Sequence, residues 1–355
     1  MKILMLVNWK IQYCEEPPCD KQPPDFYAIN EQYWFHRYFR ENHEIDVVDM
    51  KSFPWLEKFE QYKLRFYLSQ FFKVVTKLNQ YDLIVSHGMQ SGIVLSLWRR
   101  IFKTKAKHIV YDIGSFSSAS ERGFILRLMQ FASKSIDGII YHTSSQLEYY
   151  KKYFPWIVSK SRFIRFGTDT QFFDPKNLKE SDDKNQYIVC VGYSKRDWDT
   201  VVTAYKSLNT NIKLRLVGHV EEKYREIEGV EQIPFVPIRE VINQIHNALF
   251  CVLPLESFNY SYGQMTLMQQ MALEKCVLTA KVPSLVDYIE DMNTAVLYAP
   301  KNVDDLTNKM NMLLKDSNMR GEIGIRAAKY LQESCNERIM ANQIEDYYEW
   351  VMSKE

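Results

Sequence analysis

From Cys251 to Leu278 the chain reads CVLPLESFNYSYGQMTLMQQMALEKCVL, and this stretch constrains the fold more than any other. The apolar run Leu249 to Leu255, closed around Pro254, reads as a buried strand. A polar, aromatic loop follows from Glu256 to Tyr262. Gly263 then opens a helical pattern, with Met265, Met268 and Met271/Ala272 at helical spacing. Lys275 and Cys276 end it, and a second apolar run starts at Val277. The order strand, loop, glycine, helix, strand aims the helix's unpaired N–H groups at whatever lies above the carboxyl edge of the first strand. An anion suits that place, and a diphosphate is a common one. An ordinary strand–helix–strand unit with a glycine at its turn reads the same way.

A chain of 355 residues can build two cores, and 46% apolar with 25% charged residues is a globular balance. No segment reaches the roughly 18 uninterrupted apolar residues of a membrane span. MKILMLVNW at the start reads as a first strand and not as a signal peptide. Six cysteines stand without metal-ligand spacing, Cys14 and Cys19 being the only close pair, which reads as thiols in a reducing cytoplasm. The net charge of +1 hides a split. Residues 1–170 hold 24 Lys and Arg against 17 Asp and Glu, net +7, leaving 21 against 27, net −6, for the rest. A basic first half suggests an anionic partner, a phospholipid face or a phosphorylated acceptor. Acids are interspersed among the bases, so nucleic acid is not expected.

Gly-x-x-x-Leu-x-x-x-Met-Ala-Leu-x-Lys, Gly263 to Lys275, behind a strand that ends in Pro254-Leu255, resembles the donor segment of family-4-type retaining glycosyltransferases. The resemblance implies an α/β fold with two Rossmann-like domains facing a cleft, the GT-B fold. It divides the chain into an acceptor domain, residues 1–168 with a crossing helix over 338–355, and a nucleotide-sugar domain, residues 169–337. It implies that the turn at Gly263, Gln264 and Thr266 donates backbone N–H groups to a diphosphate. In YIVCVGYSKRDW, Lys195 and Arg196 stand where the family has cations against that diphosphate, Arg196 lying eight residues before Ala204. The family's other Arg is Tyr193 here. A guanidinium fork matches two phosphate oxygens, although Arg196 could instead pair with Asp197 or Asp199. Val236 falls in the loop that holds the base. One departure stands out. The family's Glu-x7-Glu pair is replaced by Gln269 and Gln270 at its second position, Ser261 lies eight residues before Gln269, and the nearest carboxylate is Glu256. Either glutamine could hold the ribose, and Glu256 a sugar hydroxyl.

The same resemblance covers FIRFGTDTQFF, Phe163 to Phe173, as the interdomain link, with Gly167 for the bend and Asp169 and Phe172 locking it against the first domain. Lys176 to Asn185 is the polar joint that follows. In the first half, Lys2 to Val7 reads as a strand and Asn8 to Asp25 as a Pro-rich loop, where Trp9, Lys10 and Tyr13 replace the family's glycines and Lys10 is an acceptor-binding candidate. Asn30 to Arg40 reads as an aromatic helix. Phe53 to Leu78 carries Trp55, Leu56, Phe59, Leu64, Phe66, Tyr67, Phe71 and Phe72 among Lys51, Lys58, Lys63, Arg65, Lys73 and Lys77. It reads as a helix, lying either in a membrane interface or against the core with a solvated basic face. YDLIVSHG is a strand ending at His87, a candidate donor to the transferred sugar. Asp112 ends the next strand and is an acceptor candidate, while Ser144 and Gln146 read as a helix opening.

The reaction implied is glycosyl transfer with retention, from a UDP-sugar ahead of a GDP-sugar, to a glycan or lipid-linked acceptor in bacterial surface polysaccharide or glycoconjugate synthesis. The expected place is the cytoplasm, in peripheral contact with the inner face of an anionic membrane. No cofactor and no metal is expected, with basic side chains and a helix N-terminus meeting the leaving charge. Two alternatives stay open: an inactive nucleotide-sugar-binding partner of another transferase, and a sugar-nucleotide epimerase on the same fold.

Overall fold

The computed structural model describes residues 1–18, 20–116, 122–178, 186–192, 194–218 and 220–354. Of the residues singled out above, Cys19, Tyr193 and residues 179–185 of the polar joint lie outside this set. The contacts group the chain into two compact units. Unit 1 comprises Met1–Arg165, Asn259–Tyr262 and Met340–Glu355; unit 2 comprises Phe166–Phe258 and Gly263–Ile339.

Unit 1 holds β1 (Lys2–Leu6), β2 (Gln12–Cys14), β3 (Phe26–Ala28), β4 (Glu44–Val48), β5 (Leu83–His87), β6 (Lys107–Asp112), β7 (Gly138–Tyr141) and β8 (Ser161–Phe163). Its helices are α1 (Pro54–Phe59), α2 (Leu68–Val74), α3 (Met89–Ile101), α4 (Phe124–Ser133), α5 (Ser145–Tyr153) and the single turn α6 (Pro155–Val158). Six strands form a parallel sheet in the order β4-β1-β5-β6-β7-β8, and β2 and β3 form a parallel pair apart from it. Parallel strands covered on both faces read as unbroken apolar runs, and all residues of β5 and β7 are buried. Because β4 adds on one side of β1 and β5 on the other, the strand order reverses between β1 and β5, and ligands of such sheets settle outside the carboxyl ends at that point.

Unit 2 holds β9 (Tyr187–Val191), α7 (Trp198–Lys206), β10 (Lys213–Val217), β11 (Val230–Ile233), α8 (Ile238–His246), β12 (Cys251–Leu253), α9 (Gln264–Ala272), β13 (Val277–Ala280), β14 (Val296–Tyr298), α10 (Val303–Lys315) and α11 (Ser317–Ser334). The sheet is parallel in the order β11-β10-β9-β12-β13-β14, the Rossmann order, and it reverses between β9 and β12. The last helix, α12 (Glu337–Met352), belongs from Met340 onward to unit 1. There the Tyr347 hydroxyl accepts from Ile139 N at 2.9 Å and donates to Lys160 O at 2.6 Å, the Tyr348 and Tyr111 hydroxyls bond each other, and Glu345 takes the Arg40 side chain at 2.8 Å.

Three local readings are corrected. Residues 30–40 form only a 3-10 turn, Trp34–Tyr38, with Asn30 and Trp34 at φ 70° and 51°. Packing decides this: Trp34 lies edge-on to Trp9 and Phe35, at 5.8 and 4.8 Å between ring centroids, and that burial outweighs helical propensity. The loop 8–25 contains β2. Residues 53–78 are no single helix. After α1 the chain passes through a π turn, Glu60–Leu64, and reverses at Arg65, φ 60°. Glu60 is fully buried and accepts from Ser69 N and Oγ, both at 2.7 Å, which ties the turn to α2. In the link, Asp169 accepts from Gln171 N and Phe172 N, and the Phe172 ring lies under Arg239. Gly167 serves a close approach, since a Cβ there would lie 2.3 Å from Asn336 O.

Candidate functional site

In unit 2 the turn after β9 and the turn before α9 converge at the strand-order reversal. Arg196 and Leu255 form an isolated antiparallel bridge, and Asp197 N donates to Pro254 O at 2.8 Å, so the two turns are stitched backbone to backbone. The Arg196 guanidinium donates through Nε to Val191 O at 3.1 Å, through Nη1 to Ser194 O at 3.2 Å and through Nη2 to Thr266 Oγ1 at 3.1 Å. Thr266 stands in the first turn of α9. The cation is therefore held beside that helix start, seventy residues away in sequence. Gly192 makes room for it: at φ 138°, a Cβ there would lie 2.4 Å from Arg196 Nε. The aspartates weighed as alternative partners are engaged elsewhere. Asp197 caps α7 by accepting from Thr200 N and Oγ1, at 3.2 and 2.7 Å, and Asp199 accepts from Lys223 and Tyr224.

Gly263 is the N-cap of α9 at φ 85°, a conformation that favours glycine, and a Cβ would lie 2.3 Å from Leu255 Cδ1. Lys195, at φ 53°, places its ammonium 4.6 Å from the Phe258 ring centroid, and its carbonyl accepts from Glu256 N at 3.3 Å. Lys195, Arg196, Glu256, Gly263 and Thr266 are thus gathered around one turn pair, with Glu256 exposed. Gln264 stands apart in role: it is 3% exposed and its amide donates to Ser284 O at 2.7 Å, which packs the helix start. The two glutamines differ. Gln270 is fully buried with neither amide atom partnered, whereas Gln269 keeps 7% of its surface. Val236 sits half-buried between β11 and α8, at the carboxyl end of its strand.

In unit 1 the corresponding reversal, between β1 and β5, is built from rings. His87 ends β5, 6% exposed, with Trp9 4.5 Å away edge-on, Trp34 at 6.1 Å and Tyr111 at 6.0 Å. Burial, with His142 nearby, holds its pKa down at about 3, so the ring is neutral near pH 7, and its Nδ1 has no partner. Trp9 and Trp34 were not among the site candidates; their only sequence signal was the loop position of Trp9. Asp112, at the end of β6, is fully buried and saturated. Its Oδ1 accepts from Gly114 N, Ser115 Oγ and Phe116 N, and its Oδ2 from Tyr150 and Gln146. The carboxylate organises the turn after β6 and is not turned toward an acceptor. Lys10 is paired with Glu57 at 2.6 Å. Ser144 is the N-cap of α5 by position and makes no side-chain bond to it, and the Gln146 amide serves Asp112. Among the described residues, no cluster of three or more His, Cys, Asp or Glu stands ready to hold a metal, and no helix is long and apolar enough to cross a membrane.

Comparison with solved structures shows the fold. The chain is similar to sucrose-phosphate synthase from Thermosynechococcus elongatus, at TM-score 0.73 and 17% identity over 99% of this chain and 100% of that one. It is also similar to HepE of Anabaena in complex with UDP, at TM-score 0.71 and 14% identity, and to the same protein with UDP-glucose, at TM-score 0.69 and 14% identity; each match covers 99% of this chain and 100% of the other. The fold is that of the GT-B glycosyltransferases, α/β with two Rossmann-like domains. Curated proteins give no match. Residues 170–330, which span most of unit 2 and the whole Arg196–Gly263 turn pair, match the family model of the glycosyl transferases group 1.

Proposed function

We propose that the chain is a retaining glycosyltransferase that draws its sugar from a UDP-sugar and passes it to a glycan or lipid-linked acceptor. One observation carries the reading: Arg196 is fixed to Thr266 at the start of α9, at the strand-order reversal, inside the stretch that matches the group 1 family. A developing diphosphate charge needs donors already in place. Here they are the guanidinium, the Lys195 ammonium and the N–H groups of the first α9 turn, behind a Gly263 with no side chain in the way. The reading gives the charge neutralisation to these groups and not to a divalent ion. Gln269 takes the ribose, Val236 the base and Glu256 a sugar hydroxyl. His87, neutral, offers Nδ1 as a hydrogen-bonding atom to a sugar. The UDP and UDP-glucose complexes of HepE support the choice of uridine.

Surface polysaccharide or glycoconjugate synthesis at the inner face of a membrane is the setting this reading favours. Phe53, Trp55, Phe59 and Tyr62 are 72, 71, 48 and 74% exposed beside exposed Lys58, Lys63 and Arg65, which suits peripheral contact with anionic lipid. The test is incubation with radiolabelled UDP-glucose and UDP-N-acetylglucosamine, with EDTA and without, over a panel of glycan and lipid acceptors. Transfer unaffected by EDTA supports the reading. Binding without turnover points to an inactive partner, sugar isomerisation to an epimerase, and activity lost with EDTA and restored by magnesium or manganese overturns the metal-free step.

A further inference from the structure

Unit 1 contains a cavity of about 250 Å³ at the carboxyl ends of β5 and β6. Leu64 and Phe66 wall it from the turn after α1, Met89 and Ile93 from the start of α3, and Ile125 and Met129 from α4. These are hydrocarbon and thioether side chains, a poor surface for a sugar. Its polar lining is Arg65, Gln90 and Ser115, and the Ser115 hydroxyl is already engaged with Met89 N and Asp112. The apolar character continues onto the surface on two sides. Phe59 and Tyr62 lead into Leu64, and Phe124, 77% exposed, precedes Ile125, itself 59% exposed. Exposed apolar groups that adjoin an apolar cavity mark a binding face.

The charge pattern around the cavity selects the ligand. Arg65 is exposed and fixed in a left-handed turn at the cavity's edge, and Lys58 and Lys63 are exposed on the same segment. The segment's two acids are engaged: Glu57 pairs with Lys10, and Glu60 is buried on Ser69. An apolar cavity whose mouth presents cations fits an amphiphile with an anionic head. We propose that this cavity takes the hydrocarbon chain of a lipid phosphate or diphosphate, the anchor of a lipid-linked acceptor, with Arg65 meeting its phosphate. The word acceptor rests on the glycosyltransferase reading; the lipid site does not.

The experiment uses the full chain and dodecyl phosphate below its micelle concentration, with inorganic phosphate as the headgroup alone and UDP as a probe of unit 2. The expected result is saturable binding of dodecyl phosphate and none of inorganic phosphate. Met129→Trp, which fills the cavity, and Ile125→Glu, which puts a carboxylate at its exposed wall without touching the core, should each weaken dodecyl phosphate binding at least tenfold. UDP affinity should stay unchanged in both. Arg65→Glu should weaken dodecyl phosphate binding while leaving a neutral dodecyl glycoside bound. Equal binding of dodecyl phosphate by the wild type and Ile125→Glu overturns the proposal. So does equal partition of wild type and a folded Met129→Trp onto phosphatidylglycerol vesicles with no binding of the monomeric amphiphile, which would make the segment a membrane face only. If UDP binds and dodecyl phosphate does not, the lipid site fails and the glycosyltransferase reading stands. If dodecyl phosphate binds through Ile125 and Met129 while UDP does not, the reverse holds.

Discussion

The two sheets reverse their strand order in the same manner and furnish the two reversals with opposite chemistry. Unit 2 presents cations, glycines and backbone N–H groups at the ends of β9 and β12. Unit 1 presents indole rings and a neutral histidine at the ends of β1 and β5, with an apolar cavity close by. A fixed anion is best met by donors that are already held in place, which is what the Arg196 bonds achieve. Rings and methyl groups instead suit a partner with apolar faces. One architecture thus carries two chemically different surfaces, because the strands set where side chains project and the turns set which ones do.

Acid should separate the two units most strongly. His36 and His142 are held down at about 4 and His87 at about 3, in each case first by burial, and all three lie in unit 1. Their folded pKa lies below the unfolded value, so their contribution is complete above about pH 6.5 and is lost as pH falls toward 4. Each costs about 1.4 kcal/mol per pH unit across that window. Amide hydrogen exchange at pH 7 and pH 5 should show unit 1 loosening first; equal loosening of unit 2 would break the contrast.

Arg196→Ala should cost about 1.5–3 kcal/mol of UDP binding, tenfold to a hundredfold, since a charge-assisted contact is lost. Calorimetry should show this with the dodecyl phosphate site untouched. Unchanged UDP affinity would remove Arg196 from the donor site.

The adjacent glutamines should split. Gln270→Leu replaces a buried, unpartnered amide with an apolar group and should raise the melting temperature, by about 1 kcal/mol of stability. Gln269→Ala should leave stability nearly unchanged and raise the donor KM. If Gln270→Leu destabilises the fold, its amide has a role the burial pattern does not reveal.

The smallest expected effect on stability comes from the exposed rings. Phe59→Ser and Tyr62→Ser should alter the unfolding free energy by no more than about 0.5 kcal/mol, because neither ring is core. Both should reduce partition onto phosphatidylglycerol vesicles, more at low salt than at high. A large stability loss would mean these rings support the fold and not a surface.

What could be read from the chain itself was whatever is local. The strand–loop–Gly–helix–strand order at Cys251 to Leu278 needs only apolar runs and a glycine at a left-handed turn, and it appears as β12, Gly263, α9 and β13. The alternation of strands and helices likewise carries two parallel sheets, because crossover units bury both strand faces. Tertiary contacts decided the rest. Helical spacing over residues 53–78 could not reveal that Glu60 would be buried on Ser69 and the chain turned at Arg65, leaving the rings of α1 outside. Nor could the aromatic content of residues 30–40 reveal that Trp34 would forgo a helix to pack on Trp9 and lie beside His87. The same holds for the partners of the charged candidates. Asp112 is saturated by Tyr150 and Gln146 from α5, and Arg196 is held by Thr266 from α9. A side chain's role depends on whether distant groups complete its hydrogen bonds, and that follows only from the folded sheet.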